Sequence, residues 1–244
     1  MPFDYSIVIP VYNEEKIIEN TIKTVNSYLV SQNKSFEIIV ADDGSKDNTQ
    51  SIIRNLMRNY KALKLVINPI NLGRGAALNN AFKNSQGKIL VYLDADLAID
   101  LDLFPKLMSA IESENVDIAI GSKHLPNSVV EYPKLRRFFS KAYSYLARLF
   151  LGSYIRDYQC GFKAFKRDVI LTVIPYVKSE KWSWDTEVLV KSQWLGYKIK
   201  ELPANVVNIY ARESKVSLFR DIKSMGWELI RLFIERINFK FNDY

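Results

Sequence analysis

Two aspartates one residue apart, Asp94 and Asp96, follow directly on an apolar run at residues 88–93. Such a run reads as a buried strand, and in open α/β sheets ligands bind beyond the carboxyl ends of the strands. Paired carboxylates there are hard oxygen donors suited to Mg²⁺ or Mn²⁺, and Mg²⁺ is commonly held by one or two carboxylates plus substrate phosphates. That chemistry is a metal–diphosphate site; the competing reading is a polar turn that closes the strand. A second pair, Asp42 and Asp43, ends another apolar run at 36–41. An aspartate so placed accepts hydrogen bonds from a ribose or base, although Asp43-Gly44-Ser45 would equally make a turn. Asn71-Leu72-Gly73-Arg74-Gly75 then opens a helix with two glycines and an arginine. This permits close backbone approach to an anion, but the Gly-Lys-Ser/Thr ending of a phosphate loop is missing.

The elements that must position these groups alternate. Strands are expected at 5–11, 36–41, 63–67, 88–93 and 116–120, and helices from Asn13 to about residue 30, then at 49–59, 76–84 and 102–113. Asn13 is placed to cap the first helix, with Glu14 and Glu15 in its first turn. The last strand of the series runs into Gly121-Ser122-Lys123. Strand–helix alternation implies right-handed crossovers and an α/β fold with a mostly parallel sheet flanked by helices. Every distinctive polar group then falls after a strand, on one sheet edge, and that clustering favours the metal–nucleotide reading over isolated turns.

Composition narrows the classes. The 244 residues are 48% apolar and 25% charged, as a globular domain requires, and carry a net charge of +7 that suits an anionic partner. One cysteine, Cys160, excludes an intrachain disulfide and points to a reducing compartment. One histidine, His124, argues against a His-rich zinc site or a His-centred triad and reads as a structural loop residue. No nucleic-acid-binding motif is present, no apolar stretch is long enough to span a bilayer, and no secretory signal is visible. We read residues 1–216 as the catalytic domain and 217–244 as a C-terminal amphipathic helix.

Residues 132–154 interleave Lys134, Arg136, Arg137, Lys141 and Arg148 with Phe138, Phe139, Tyr143, Tyr145 and Phe150. This is either a helix packed on the sheet or a basic, aromatic interfacial helix that receives a lipid phosphate. Arg136 and Ser140 lie one helical turn apart, so both reach a single phosphate. A strand is expected at 161–166, a helix opening at Asp185 and Glu187, an edge strand at 198–207, and a long helix at 218–241. The last carries Trp227 and Phe233 among Arg220, Arg231 and Arg236, which fits a membrane surface first and a homodimer second.

Taken in order, Pro10-Val11-Tyr12-Asn13-Glu14, Asp42-Asp43-Gly44-Ser45, Asn71-Leu72-Gly73-Arg74-Gly75, Asp94-Ala95-Asp96 and Gly121-Ser122-Lys123 resemble the motifs of family 2 GT-A glycosyltransferases. Asp157-Tyr158-Gln159-Cys160-Gly161-Phe162-Lys163 and Trp184-Asp185-Thr186-Glu187 resemble blocks of the dolichyl-phosphate β-glucosyltransferases within that family. The resemblance covers about residues 5–216 and implies a GT-A, Rossmann-like fold. It also implies a nucleotide-sugar donor, a polyprenyl or dolichyl phosphate acceptor, Mg²⁺ or Mn²⁺, inversion at the anomeric carbon, and peripheral attachment at the cytoplasmic face of a membrane.

Under that resemblance Pro10, Tyr12, Glu14, Asp42 and Asp43 line the nucleotide pocket, together with Gly73, Arg74 and Ala95. Asp94 lies near ribose or metal, Asp96 is the direct metal ligand, Gln159 lies near the sugar, and one of Asp185 and Glu187 meets the sugar or acceptor. Arg136 and Ser140 match the acceptor-phosphate pair, and Arg212 and Lys215 match a late loop that closes over the diphosphate. Lys123 replaces the usual arginine and loses its bidentate fork, Glu213 stands where a glycine is common, and Ala98 replaces a glutamine of the mannosyl enzymes. UDP-glucose is therefore the favoured donor. GDP-mannose, or a saccharide acceptor with the same donor site, is the alternative.

Overall fold

The computed structural model describes residues 2–130, 134–207 and 218–241, with side chains outside the description at 134–136, 218–225 and 239–241. In chain order the elements are β1 (Phe3–Val11), α1 (Ile18–Ser31), β2 (Phe36–Asp42), α2 (Thr49–Leu56), β3 (Leu63–Ile67), α3 (Arg74–Asn84) and β4 (Gly87–Leu93). Then follow α4 (Phe104–Ser113), β5 (Ile118–Ser122), α5 (Lys134–Leu151), β6 (Phe162–Lys166), α6 (Arg167–Val173), α7 (Trp184–Trp194), β7 (Ile199–Pro203) and α8 (Leu218–Phe241).

The seven strands form one sheet in the order β3-β2-β1-β4-β6-β5-β7. All pairings are parallel except those of β6, which runs antiparallel to both β4 and β5. The sheet is buried on both faces, as a mostly parallel sheet with helical crossovers must be. Successive residues of β1 therefore serve opposite cores, with Ile7 and Ile9 on one side and Val8 on the other. The first core gathers α1, α2 and α4 through Ile22, Ile53 and Leu107; the second gathers α3, α5, α6, α7 and α8 through Phe82, Leu151, Ile170, Leu189 and Leu232.

Register sets the site. Val11 pairs with Asp42, and Asp42 pairs with Ile67, so three strands end flush. Val8 pairs with Tyr92, which puts Asp94 just past the same edge. The two reversals at β6 leave β5 pointing the same way as β4, and Ser122 and Lys123 emerge on that edge too.

Several expectations shift; the strand expected at 116–120, for one, is Ile118–Ser122. The first helix starts at Ile18, and Asn13 does not cap it. Asn13 takes a left-handed φ of 53°, donates its N–H to Ser45 Oγ (2.9 Å) and accepts from the Lys46 N–H (2.8 Å). An asparagine suits either task, because its short side chain tolerates left-handed backbone and bonds nearby main chain. The 198–207 strand is shorter, Ile199–Pro203, with Val206 making only an isolated bridge to Ile99. The basic aromatic helix of 132–154 is Lys134–Leu151. Among the described residues no helix is long and apolar enough to cross a membrane.

Candidate active site

The residues expected to line a nucleotide pocket are held by loop–loop hydrogen bonds at the strand ends. Asp42 is fully buried; its Oδ1 accepts from the Ser45 N–H (3.0 Å) and Gln50 Nε2 (2.7 Å), while its Oδ2 has no hydrogen-bond partner. A buried acceptor left unpaired is costly, so this oxygen is an open acceptor. Asp43 differs. Its Oδ1 takes Asn68 Nδ2 and the Leu72 N–H (both 3.0 Å), and its Oδ2 takes the Gly73 N–H (2.7 Å). It braces the turn that launches α3. Gly73 has a φ of 115°, and a Cβ there would run into the Glu180 carbonyl, so only glycine lets the two loops meet. Glu14 is buried, and its N–H reaches Thr49 Oγ1 at 2.8 Å; Pro10 and Tyr12 lie half-buried beside it in sequence.

Asp94 and Asp96 occupy the turn after β4. Asp94 donates its N–H to the Gly161 carbonyl (3.0 Å) and accepts the Leu97 N–H at its own carbonyl (3.1 Å). A Cβ on Gly161 would overlap the Asp94 carboxylate, which explains a glycine there. The Ala95 carbonyl is held by Thr21 Oγ1 (2.6 Å), and Asp96 Oδ1 accepts the Ala98 N–H (3.1 Å). Asp94 Oδ1 accepts Tyr92 OH (2.7 Å) and faces Arg74 Nη1 at 3.4 Å.

Arg74 joins the predicted residues into a network. Its other Nη pairs with Asp185, and its guanidinium lies 4.4 Å from the centre of the Trp182 ring. Asp185 is fully buried, with its second oxygen 2.5 Å from Lys163 Nζ, itself fully buried. Burial opposes the Arg74 charge, but Asp185, Tyr92 and Asp94 outweigh it and raise its pKa. Burial drives the Tyr92 hydroxyl well above its usual range, helped by Asp94 and Asp185 and opposed by Arg74, so it stays protonated and donates.

On the far side of the edge, Lys123 donates its N–H to Asp157 Oδ2 (2.8 Å), and its Nζ lies 3.4 Å from both Asp157 and the Gln159 carbonyl. Burial opposes ionisation of Asp157, yet Lys123 and His124 bring its pKa below the ordinary carboxylate value. Ser140 Oγ meets His124 Nε2 at 3.2 Å, and His124 Nδ1 meets the Arg156 carbonyl at 2.6 Å. His124 thus ties α5 to the loop before β6. Burial pushes the Cys160 thiol up to about 12, which leaves it a packed, protonated residue. Arg212 and Lys215, and the side chain of Arg136, lie outside the described residues.

Residues 6–173 match the sequence profile of glycosyl transferase family 2. The chain belongs to that family. It is 39% identical over 93% of its length to the glycosyltransferase AglD of Haloferax volcanii, of which it spans 36%. It is 35% identical over 94% of its length to the dolichyl-phosphate beta-glucosyltransferase ALG5A of Trichomonas vaginalis, spanning 72% of that protein. Its identity to the Saccharomyces cerevisiae dolichyl-phosphate beta-glucosyltransferase is 31%, over 92% of the chain and 72% of that enzyme. The fold matches glucosyl-3-phosphoglycerate synthase of Mycobacterium tuberculosis, solved with Mn²⁺, uridine diphosphate and glucosyl-3-phosphoglycerate. That likeness has a TM-score of 0.69 at 21% identity, covering 96% of this chain and 80% of the other.

For a family 2 glycosyltransferase the donor set at β4 is informative. Among the described residues no group of three or more His, Cys, Asp or Glu side chains gathers to hold an ion. Asp94 and Asp96 are two hard carboxylates at this turn, the donor type that would suit Mg²⁺ or Mn²⁺. Sequence reasoning passed over Tyr92, Trp182 and Lys163. For Lys163 a signal existed: it is a charge set between Phe162 and Ala164 within the strand, whereas the other lysine, Lys166, stands at the strand's end.

Proposed function

We propose that this chain transfers a hexose, with glucose favoured, from a uridine diphosphate sugar to a polyprenyl or dolichyl phosphate, inverting the anomeric carbon. The carrying observation is the identity to dolichyl-phosphate beta-glucosyltransferases over nearly the whole chain. The acidic and basic groups gathered on one sheet edge support it.

In this reading the open Oδ2 of Asp42 accepts from the base or ribose, and Arg74 and Lys123 face the diphosphate. Asp94 and Asp96 hold a divalent cation, which when bound neutralises charge on the leaving diphosphate. An acceptor phosphate oxygen forms the new bond to the anomeric carbon as the bond to the diphosphate oxygen breaks, and the nucleoside diphosphate leaves with that electron pair. A phosphate monoester has a second pKa of about 6 and is already largely ionised at neutral pH, so the reaction asks for no general base. Ser140 and Arg136 position the acceptor, and Arg212 and Lys215 close over the donor. A panel of UDP- and GDP-sugars offered with polyprenyl phosphate and Mg²⁺ tests the donor. UDP-glucose should be used at least about tenfold faster than GDP-mannose, a discrimination of about 1.4 kcal/mol. The reverse order would assign the chain to mannose transfer.

The membrane is the proposed site of action. α5 exposes Phe138, Tyr145, Leu146 and Leu149, and α8 exposes Trp227, Ile230, Ile234 and Ile237. The helices meet where Phe150 packs edge-on to Phe233 (centroids 5.8 Å) and Arg236 donates to the Phe150 carbonyl (2.8 Å). Exposed apolar side chains continued across two packed helices mark an interaction surface, and the exposed Arg137 and Lys141 of α5 suit anionic headgroups. Co-sedimentation with anionic phospholipid vesicles is expected for the chain, and Phe138→Ser with Trp227→Ser should weaken it about tenfold or more. Vesicle binding unchanged in that double variant would contradict the assignment and leave a second copy of the chain as the occupant.

A further inference from the structure

We propose that Asp185 and Lys163 are positioning residues that fix Arg74 for the donor diphosphate and do not themselves touch substrate. The inference rests on the donor-site reading above and assigns a different task to Asp185, which by position in its motif was expected at the sugar or acceptor.

The geometry carries it. Both oxygens of Asp185 are taken, one by Lys163 Nζ at 2.5 Å and the other by an Arg74 Nη, and neither Asp185 nor Lys163 has exposed side-chain surface. Lys163 is in turn seated on the Cys160 carbonyl (2.5 Å), with its Nζ 5.1 Å from the centre of the Tyr92 ring. The result is a chain of opposite charges running from the interior to the sheet edge: Lys163, Asp185, Arg74, Asp94. Removing any single member leaves the chain with an unbalanced charge.

The two ends of the Arg74 guanidinium are held differently. One Nη is locked on buried Asp185, and the flat face is stacked on Trp182 at 4.4 Å. The other Nη meets Asp94 at 3.4 Å, at the outer limit of an ion-paired hydrogen bond. Arg74 Nε is buried with no hydrogen-bond partner. An arginine without the Asp185 anchor would collapse onto the Asp94–Asp96 pair. With it, the loosely held end exchanges Asp94 for a diphosphate oxygen while the rest of the side chain stays in place. Binding then needs no reordering of a long side chain, which is the value of preorganised charge.

The test is isothermal titration of UDP with Mg²⁺, read beside thermal melting and steady-state kinetics. Asp185→Asn leaves the buried Lys163 charge without its partner, and Lys163→Met leaves Asp185 with Arg74 as its remaining ion-pair partner, so each should melt lower and bind UDP at least tenfold more weakly. Removing both charges together, in Lys163→Met/Asp185→Asn, should recover melting but not UDP affinity. Its donor KM should stay raised at least tenfold, with the acceptor KM within twofold of wild type. Arg74→Met leaves the Lys163–Asp185 pair intact and should reproduce the same donor defect.

A double variant that melts and binds UDP like wild type would overturn the inference, since the pair would then be structural alone. A raised acceptor KM with an unchanged donor KM, or an Arg74→Met variant with wild-type UDP affinity, would overturn it too. A wild-type chain that does not bind UDP would overturn the donor-site reading and this inference with it.

Discussion

Replacing Asp96 with asparagine is expected to slow hexose transfer about 1,000-fold while leaving the fold in place. Under the proposed mechanism the leaving diphosphate is neutralised by a cation that this carboxylate helps to hold. Losing about 4 kcal/mol of that stabilisation corresponds to roughly three decades in rate. Asparagine keeps an oxygen for the Ala98 N–H, which Asp96 Oδ1 now accepts at 3.1 Å, so the turn after β4 survives. Melting should change by less than about 0.5 kcal/mol equivalent. The measurement is an initial-rate comparison at saturating Mg²⁺ with a thermal melt beside it. A variant within tenfold of wild type would remove Asp96 from the cation site.

The largest stability effect is expected at Glu187, two residues from Asp185 and with a different task. Its buried carboxylate accepts the Lys178 and Ser179 N–H groups (3.1 and 2.8 Å) and pairs with Arg231 and Lys191, each at 2.7 Å. Burial opposes its charge, but Arg231, Lys191 and Ser179 outweigh it and bring its pKa to about 2. Because the folded pKa lies below the unfolded one, near 4.3, the carboxylate stabilises the fold above about pH 5. That contribution fades as pH falls toward 2.

Glu187→Ala leaves Arg231 and Lys191 with Glu228 and Glu235 as their acidic partners among the described residues and should cost about 3 kcal/mol at pH 7. For a chain of this size that is a melting decrease of about 6–12 °C. The gap to wild type should narrow between pH 5 and pH 2. A loss below about 1 kcal/mol, or a gap independent of pH, would mean that α8 is held by its apolar face, through Leu229 and Leu232, and not by this cluster.

The parallel half of the sheet was legible because each buried strand is a mostly apolar run, interrupted only singly as by Ser6, Glu37 and Lys64, that stops at a polar cluster. The edge carrying Asp42, Asp94 and Lys123 could be drawn from that alone. The insertion of β6, antiparallel between β4 and β5, was not, because pairing partners far apart in sequence leave no local trace. Neighbouring carboxylates looked equivalent and are not: Asp42 keeps an open oxygen, whereas Asp43 spends both on Asn68, Leu72 and Gly73. Asn13 has the chemistry of a helix cap and uses it to join two loops instead. Asp185 read as an acidic residue favoured by a helix start; its partners Lys163 and Arg74 come from separate motifs, and only the fold brings them together.

The lipid-phosphate acceptor is tested by transfer of radiolabel from UDP-glucose to polyprenyl phosphate in the presence of Mg²⁺, counted in the organic phase. Label is expected in the lipid, abolished by EDTA and by Asp96→Asn. UDP release with no lipid label, or label recovered in a water-soluble saccharide, would contradict the lipid-phosphate acceptor and with it the central claim.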